Sequence, residues 1–201
     1  MVTSNMELAG TAEREDTNTG LIHELIEARW SPRSFSGEAI TDAQLKSILN
    51  AASWASSSYN EQPWRFVIAR NQDSSFKEML DTLHSGNRPW ASQASVLILM
   101  AAKKSLSQDG STNHFALHDT GAALANLLLQ ATALGLHGHA MGGYDRTKAR
   151  EVFGIPEDFA LASVVALGFY RGPGSATAAS RTRKPLNEIA FDGRWNEPLW
   201  L

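Results

Sequence analysis

The amino-acid sequence predicts one layered domain of mixed helices and strands, of the α+β or α/β class, on three observations. Its 201 residues, 43% of them apolar, suffice for one well-buried core. Helical and strand-like patterns follow one another with clear breaks between them. No internal repeat and no second core interrupts them. Pattern alone leaves the strand order open.

Residues 1–19 are polar and unpatterned and read as a flexible tail, which leaves 20–201 as a single domain with a C-terminal extension. Leu21, Ile22, Leu25 and Ile26 fall at helical spacing, and this helix should stop before Pro32, which pushes Ser31 towards extended backbone. Thr41 and Gln44 form a capping box for the next helix. Ile40 and Leu45 can staple it, and Leu45, Ile48, Leu49 and Ala52 line one face. Residues 65–70 read as a strand, 74–83 as an amphipathic helix and 95–100 as a strand buried on both sides, hence central. Residues 115–134 form a helix greasy on several faces and closed by Gly135, expected to be buried all round as a central helix or a subunit interface. Asp145 caps a short helix stopped by Gly154 and Pro156; residues 162–170 are a further strand, and 171–180 a linker of small residues.

Composition narrows the chemistry. The formal charge of -3 gives no overall field for nucleic acid or anionic lipid, so any anion site is local. With no cysteine, disulfides, thiolate nucleophiles and Cys-ligated metals drop out. The N-terminal residues hold no apolar signal-like stretch, and the longest greasy run, residues 94–102, is too short to span a bilayer; a cytoplasmic protein is expected. His114 and His118 stand four apart, and His137 and His139 alternate. The first pair lacks the adjacent Glu of a metalloprotease helix, so no metal is expected.

Four segments carry groups suited to a polar, anionic ligand. Arg29, Ser31 and Arg33 alternate in an extended stretch, so two guanidiniums can flank a hydroxyl as an anion cradle; taken alone, the motif favours solvated loop arginines over that cradle. Arg181 and Arg183, with Lys184, form a second basic group far away in sequence. Residues 56–64 (SSSYNEQPW) crowd small hydroxyl and amide groups, among them Ser57, Ser58 and Asn60, before a rigid Pro-Trp. Gly142 and Gly143 precede a helix, where bare backbone N–H groups can approach a ligand. Neither a dinucleotide fingerprint, a Walker A loop nor a serine-hydrolase elbow is present.

In this order the segments resemble the nitroreductase family, over residues 21–189. Arg29, Ser31 and Arg33 match its R-x-S-x-R opening, residues 55–64 its A-P-S-x-x-N-x-Q-P-W block, and Asn87 with Trp90 its N-x-x-W segment. The Asp119-Thr-Gly-Ala stretch matches the central helix, residues 141–145 the Gly-Gly-aromatic-Asp turn, and Arg181, Arg183, Lys184 and Pro185 the basic C-terminal motif. Ser56 stands where the family usually has Pro, and Trp90 where some members carry Lys.

The resemblance implies an α+β, nitroreductase-like fold with a mixed, largely antiparallel sheet surrounded by helices, and an intertwined homodimer with FMN, bound tightly but not covalently, in each interfacial cleft. By carry-over, Arg29, Ser31, Arg181 and Arg183 would hold the ribityl phosphate, and Arg33 and Asn87 would face the pyrimidine edge. Ser57, Ser58 and Asn60 would reach the flavin from the other subunit, and Gly142 and Gly143 would offer N–H groups to N5 and O4. The flavin would carry the catalysis, with no separate catalytic side chain. The implied activity is NADH- or NADPH-dependent oxidoreduction by a ping-pong cycle, with a nitroaromatic, quinone or related small molecule as acceptor and no nucleic-acid or membrane partner. Two alternatives stand beside it: an FMN-binding or flavin-handling protein that does not turn over, and a dimeric interaction protein without cofactor. A cover over the cleft is expected in residues 103–118.

Overall fold

The computed structural model of the protein describes residues 22–172 and 181–200. The tail expected at 1–19, Leu21 and linker residues 173–180 lie outside the described residues. Residues 24–172 belong to one compact unit and 181–200 to another.

The larger unit is built on four strands: β1 (Trp64–Arg70), β2 (Val96–Lys103), β3 (His137–Met141) and β4 (Phe159–Gly168). They lie in the order β1-β2-β4-β3, and the three pairings described are antiparallel. This is the α+β arrangement with a largely antiparallel sheet. β2 sits inside the sheet, and all its residues but Lys103 are buried. Its side chains alternate between two cores, as the twofold period of a strand demands. Leu97, Leu99 and Ala101 join Phe35, Phe76 and Met79, whereas Val96, Ile98 and Met100 join Ile48, Leu127 and Leu136. Both sheet faces are covered, which is why this antiparallel strand reads as a continuous apolar run.

Helices supply the covering layers. α1 (Glu24–Ala28) is a single short turn of helix. α2 (Asp42–Ser53) starts on the expected capping box: Gln44 N–H donates to Thr41 Oγ1 at 3.1 Å, and Thr41 N–H to Gln44 Oε1 at 2.9 Å. Ile40 and Leu45 enter one core cluster, and Leu45, Ile48 and Ala52 form the buried face. α3 (Ser74–Thr82) and the short α4 (Arg88–Ala91) precede β2. α5 (Ala116–Ala133) buries Ala116, Asp119, Thr120, Ala123, Leu127, Leu128 and Ala131, one stripe at helical spacing. Burial on all sides is not met within the chain: Leu117 is 53% exposed, and Gly121, Ala125 and Ala133 face outward. Composition counts apolar residues but does not say which side has a neighbour. Gly138 on β3 meets the buried stripe so closely that a Cβ there would overlap Leu128 Cδ2.

α6 (Arg146–Phe153) has Asp145 as its cap, accepting from Lys148 N–H at 2.9 Å, and stops at Gly154 with φ +60°. β4 begins three residues before the expected start, and Tyr170 instead bridges to Phe35 beyond its end. Between β2 and α5, residues 104–113 fold back on themselves through a Ser105–Thr112 bridge. In the C-terminal unit, α7 (Leu186–Ile189) is followed by a Phe191–Pro198 bridge that brings the rings of Phe191 and Trp195 to 4.8 Å. Among the described residues no helix is long and apolar enough to cross a membrane.

Candidate functional site

The segment after α1 is held by side chains from β3. His137 and His139 alternate along that strand and therefore share a face. The His137 ring packs edge-on to Trp30 (5.5 Å) and Tyr170 (6.0 Å), and Trp30 meets Tyr170 at 5.0 Å. His139 places Nδ1 2.9 Å from the Pro32 carbonyl and lays its ring against Trp90, centroids 4.6 Å apart. Since a carbonyl only accepts, Nδ1 carries the proton in this contact. Burial pushes the pKa of His139 below its ordinary 6.5, and the charge of Arg33 pushes the same way, against opposing contacts from the Pro32 and Ser31 backbone. Burial alone lowers His137. The neutral imidazole is thus the favoured form of both at neutral pH.

Within the pinned segment Arg29 Nη1 donates to Ser31 Oγ at 3.3 Å, which agrees with the two side chains projecting to one side. Pro32 is buried, whereas Ser31 and Arg33 are exposed. Trp90 belongs to α4, whose N-cap is Asn87. Asn87 Nδ2 donates to the Gly143 carbonyl at 3.2 Å, and His84 N–H donates to the same oxygen at 3.0 Å. A Cβ on Gly143 would sit 3.2 Å from Asn87 Nδ2 and 3.3 Å from His84 Nδ1, so glycine suits this close approach; beside Gly142 there is open space. Arg33, Asn87, Gly142 and Gly143, drawn from three separate stretches, thus border one region organised by His139 and Trp90. A permanent cation, a carboxamide and approachable backbone beside open space form a donor set that fits the anionic and amide edges of a phosphorylated heteroaromatic ligand.

Ser57, Ser58 and Asn60 are elsewhere. They precede β1, whereas Gly142 and Gly143 follow β3, and these strands are opposite edges of the sheet, about 14 Å apart at ordinary strand spacing. Their partners are local or on α5: Gln62 N–H donates to Ser57 Oγ at 3.0 Å and Ser58 N–H to Asp119 Oδ2 at 2.9 Å. Tyr59, Asn60 and Gln62 have φ of 53°, 56° and 47°, left-handed values that non-glycine residues adopt only when their surroundings hold them. Two carboxylates do so here. Asp119 is 3% exposed, and Glu61 accepts from Ser107 N–H at 3.0 Å and from Ser107 Oγ at 2.8 Å, tying residues 104–113 to this loop. Arg181 and Arg183 belong to the C-terminal unit, where Arg183 is exposed and donates to the Thr182 carbonyl at 2.9 Å.

Sequence reasoning passed over His84, His139, Asp119 and Glu61 as contributors. In the sequence His139 is marked only by its alternation with His137, and Asp119 only as part of a helix motif. His118 has Nδ1 2.9 Å from Asp119 Oδ1. Among the described residues no three His, Asp or Glu side chains gather as a metal site. A hollow of about 510 Å³ lies beyond His84, but its cations Arg88 and Lys148 both donate to the Asp81 carbonyl.

Comparison with known proteins supplies what geometry does not. A sequence profile described as the Nitroreductase family matches residues 26–88 and 74–169. A protein of Archaeoglobus fulgidus named putative NADH dehydrogenase/NAD(P)H nitroreductase is 36% identical over 149 residues, covering 72% of this chain and 83% of its own. A crystal structure described as an oxidoreductase containing FMN superposes with a TM-score of 0.81 at 32% identity, over 98% of this chain and all of that one. A putative nitroreductase in complex with FMN from Desulfovibrio desulfuricans gives 0.71 at 25% identity, over 87% of this chain and 99% of its own.

Proposed function

The chain belongs to the nitroreductase family, and from that premise we propose that it is an FMN-dependent oxidoreductase drawing electrons from NADH or NADPH. It passes them in a ping-pong cycle to nitroaromatic, quinone or related acceptors. The observation that carries this reading is the convergence of Arg33, Asn87, Gly142 and Gly143 around His139 and Trp90. The FMN named in two structural relatives supports the cofactor, and the nicotinamide in the relatives' names supports the donor.

When bound, the flavin supplies hydride acceptance and release at N5. The chain's own residues bind and orient it. Arg29 and Ser31 would hold the phosphate, because a phosphate dianion taken from water needs charge-assisted hydrogen bonds. Arg33 would stabilise negative charge at the pyrimidine edge. Asn87 spends its N–H on Gly143, which leaves its carbonyl oxygen to accept from an imide N–H. Gly142 and Gly143 would present backbone to the N5 side. Trp90 brings an apolar ring where a cation is found in some members, so Arg33 carries more of the electrostatic role.

Ser57, Ser58 and Asn60 would reach the same flavin from a second copy of the chain, a reading that their place off the opposite sheet edge supports. A homodimer with two interfacial sites, built from residues 20–201, is therefore part of the proposal. The half-covered outer face of α5 and Trp54, 86% exposed, are consistent with an interface there.

The test is direct. Purified protein should be yellow or take up FMN, and NADH or NADPH should bleach it anaerobically. A protein that binds no FMN sinks the reading; one that binds FMN but is bleached by neither donor is a flavin carrier instead. Arg29→Ala should weaken FMN retention, and unchanged retention would refute the phosphate assignment. Reoxidation against a panel of nitroaromatics, quinones and enones identifies the acceptor.

A further inference from the structure

Three pieces of the proposed flavin site meet at one side chain that carries none of the expected binding roles. His139 stands two residues before the end of β3, three before Gly142. Its Nδ1–H is committed to the Pro32 carbonyl, which lies between Ser31 and Arg33 and 107 residues away in sequence. Its ring is packed on Trp90, three residues after Asn87 in the turn that Asn87 caps. Trp90 in turn packs near Phe35, ring centroids 6.4 Å apart, beyond the other end of the arginine segment.

We infer that His139 is a positioning residue for the cofactor site: its Nδ1–H and ring fix the spacing between Arg33, Asn87 and the Gly142–Gly143 backbone. The inference rests on the FMN reading above and extends it to a residue that touches other protein groups.

The physical case is one of alternatives. The segment between α1 and Phe35 has no regular secondary structure, and its helix-like and bridge-like backbone bonds lie at its two ends, from Arg29 N–H to the Leu25 carbonyl and from Arg171 N–H to the Ser34 carbonyl, leaving Pro32 between them. Pro32 is buried, and its carbonyl, if deprived of a donor, would turn towards water and carry the flanking residues with it. Ser31 and Arg33 are those flanking residues. A ring is needed as well as a donor, because the flat imidazole fills the space over Trp90. Asparagine places an N–H near the position of Nδ1 without the rest of the ring, whereas leucine keeps bulk without a donor. The two substitutions therefore separate the hydrogen bond from the packing.

The experiment measures FMN affinity by quenching of flavin fluorescence, together with the thermal midpoints of the apo-proteins. Wild type, His139→Leu and His139→Asn are compared. His139→Leu should weaken FMN about tenfold, the worth of one hydrogen bond. His139→Asn should recover most of that loss, with the apo midpoint of His139→Leu at least as high as that of His139→Asn, since leucine preserves more packing. Equal affinity in all three overturns the positioning role and leaves the FMN reading intact. Equal weakening in both variants overturns the Nδ1–H assignment. Failure of wild type to bind FMN overturns both readings. Should a variant not fold, nitrogen NMR of wild-type apo-protein decides: the Nδ1-protonated tautomer of His139 is expected, and the Nε2 tautomer overturns the inference.

Discussion

The carboxylate of Asp119, buried in the first turns of α5, accepts the backbone N–H of Ser58 at 2.9 Å across 61 residues of sequence. This contact holds a loop in which three non-glycine residues have positive φ. Replacing Asp119 by Ala leaves the Ser58 N–H without its charged acceptor, and the loss should be about 2 kcal/mol of unfolding free energy. Asp119→Asn keeps an acceptor oxygen and should lose less. Urea denaturation of the three proteins checks the order, and equal stability would show that the loop holds itself.

Acid should destabilise the protein through β3. His137 and His139 both have folded pKa values below 6.5 because they are partly buried, so the unfolded chain binds protons first as pH falls. Their contribution is fully present above about 6.5 and is lost as pH drops through that value towards the lower folded ones. In the double variant His137→Phe and His139→Asn, stability should change less between pH 7.5 and pH 5, both pH values being about a unit or more from the histidine midpoint. Denaturation midpoints at the two pH values measure it, and an unchanged dependence would assign the acid sensitivity elsewhere.

Glu61 joins the strained loop to residues 104–113 through both the backbone and the hydroxyl of Ser107. Glu61→Ala should speed limited proteolysis within 104–113 several-fold while leaving the far-ultraviolet circular dichroism unchanged, because a locally opened segment is cleaved in proportion to its open population. An unchanged cleavage rate would mean that the Ser105–Thr112 bridge and the Asp109–Ser111 turn are enough. If this segment covers the cleft, deleting residues 103–112 should alter reoxidation rates across the acceptor panel; equal rates would argue against a cover.

The capping box of α2 gives a purely local test. Thr41→Ala removes the acceptor for Gln44 N–H and should destabilise by about 1 kcal/mol, read from the same urea curves. A larger loss would point to the Ile40–Leu45 staple moving with it.

These tests divide as the sequence does. The capping box, the interior place of β2 and the Asp145 and Gly154 ends of α6 are legible because each depends on residues a few positions apart or on one apolar run. The early start of β4 is hidden because its first residues are only partly buried apart from Leu161, whereas the residues after Ser163 are all buried and form the apolar run that marks a strand. The one-sided burial of α5 was hidden because apolar residues on both faces look alike until the neighbours are known. At the candidate site the arginines and glycines stand out by type, and Asn87 only through the family resemblance. His139 does not, since its partner is a main-chain carbonyl that leaves no trace in side-chain patterning. Asp119 and Ser58 pair only once α5 and the loop before β1 are brought together in space.

Gly138 and Leu128 occupy one shared volume, for a Cβ on the glycine would fall inside the leucine side chain. The two positions are therefore not free to drift independently. In a library randomised at both, survivors with a larger residue at 138 should carry a smaller one at 128. That reciprocal covariation would record the contact between β3 and α5 in sequences alone.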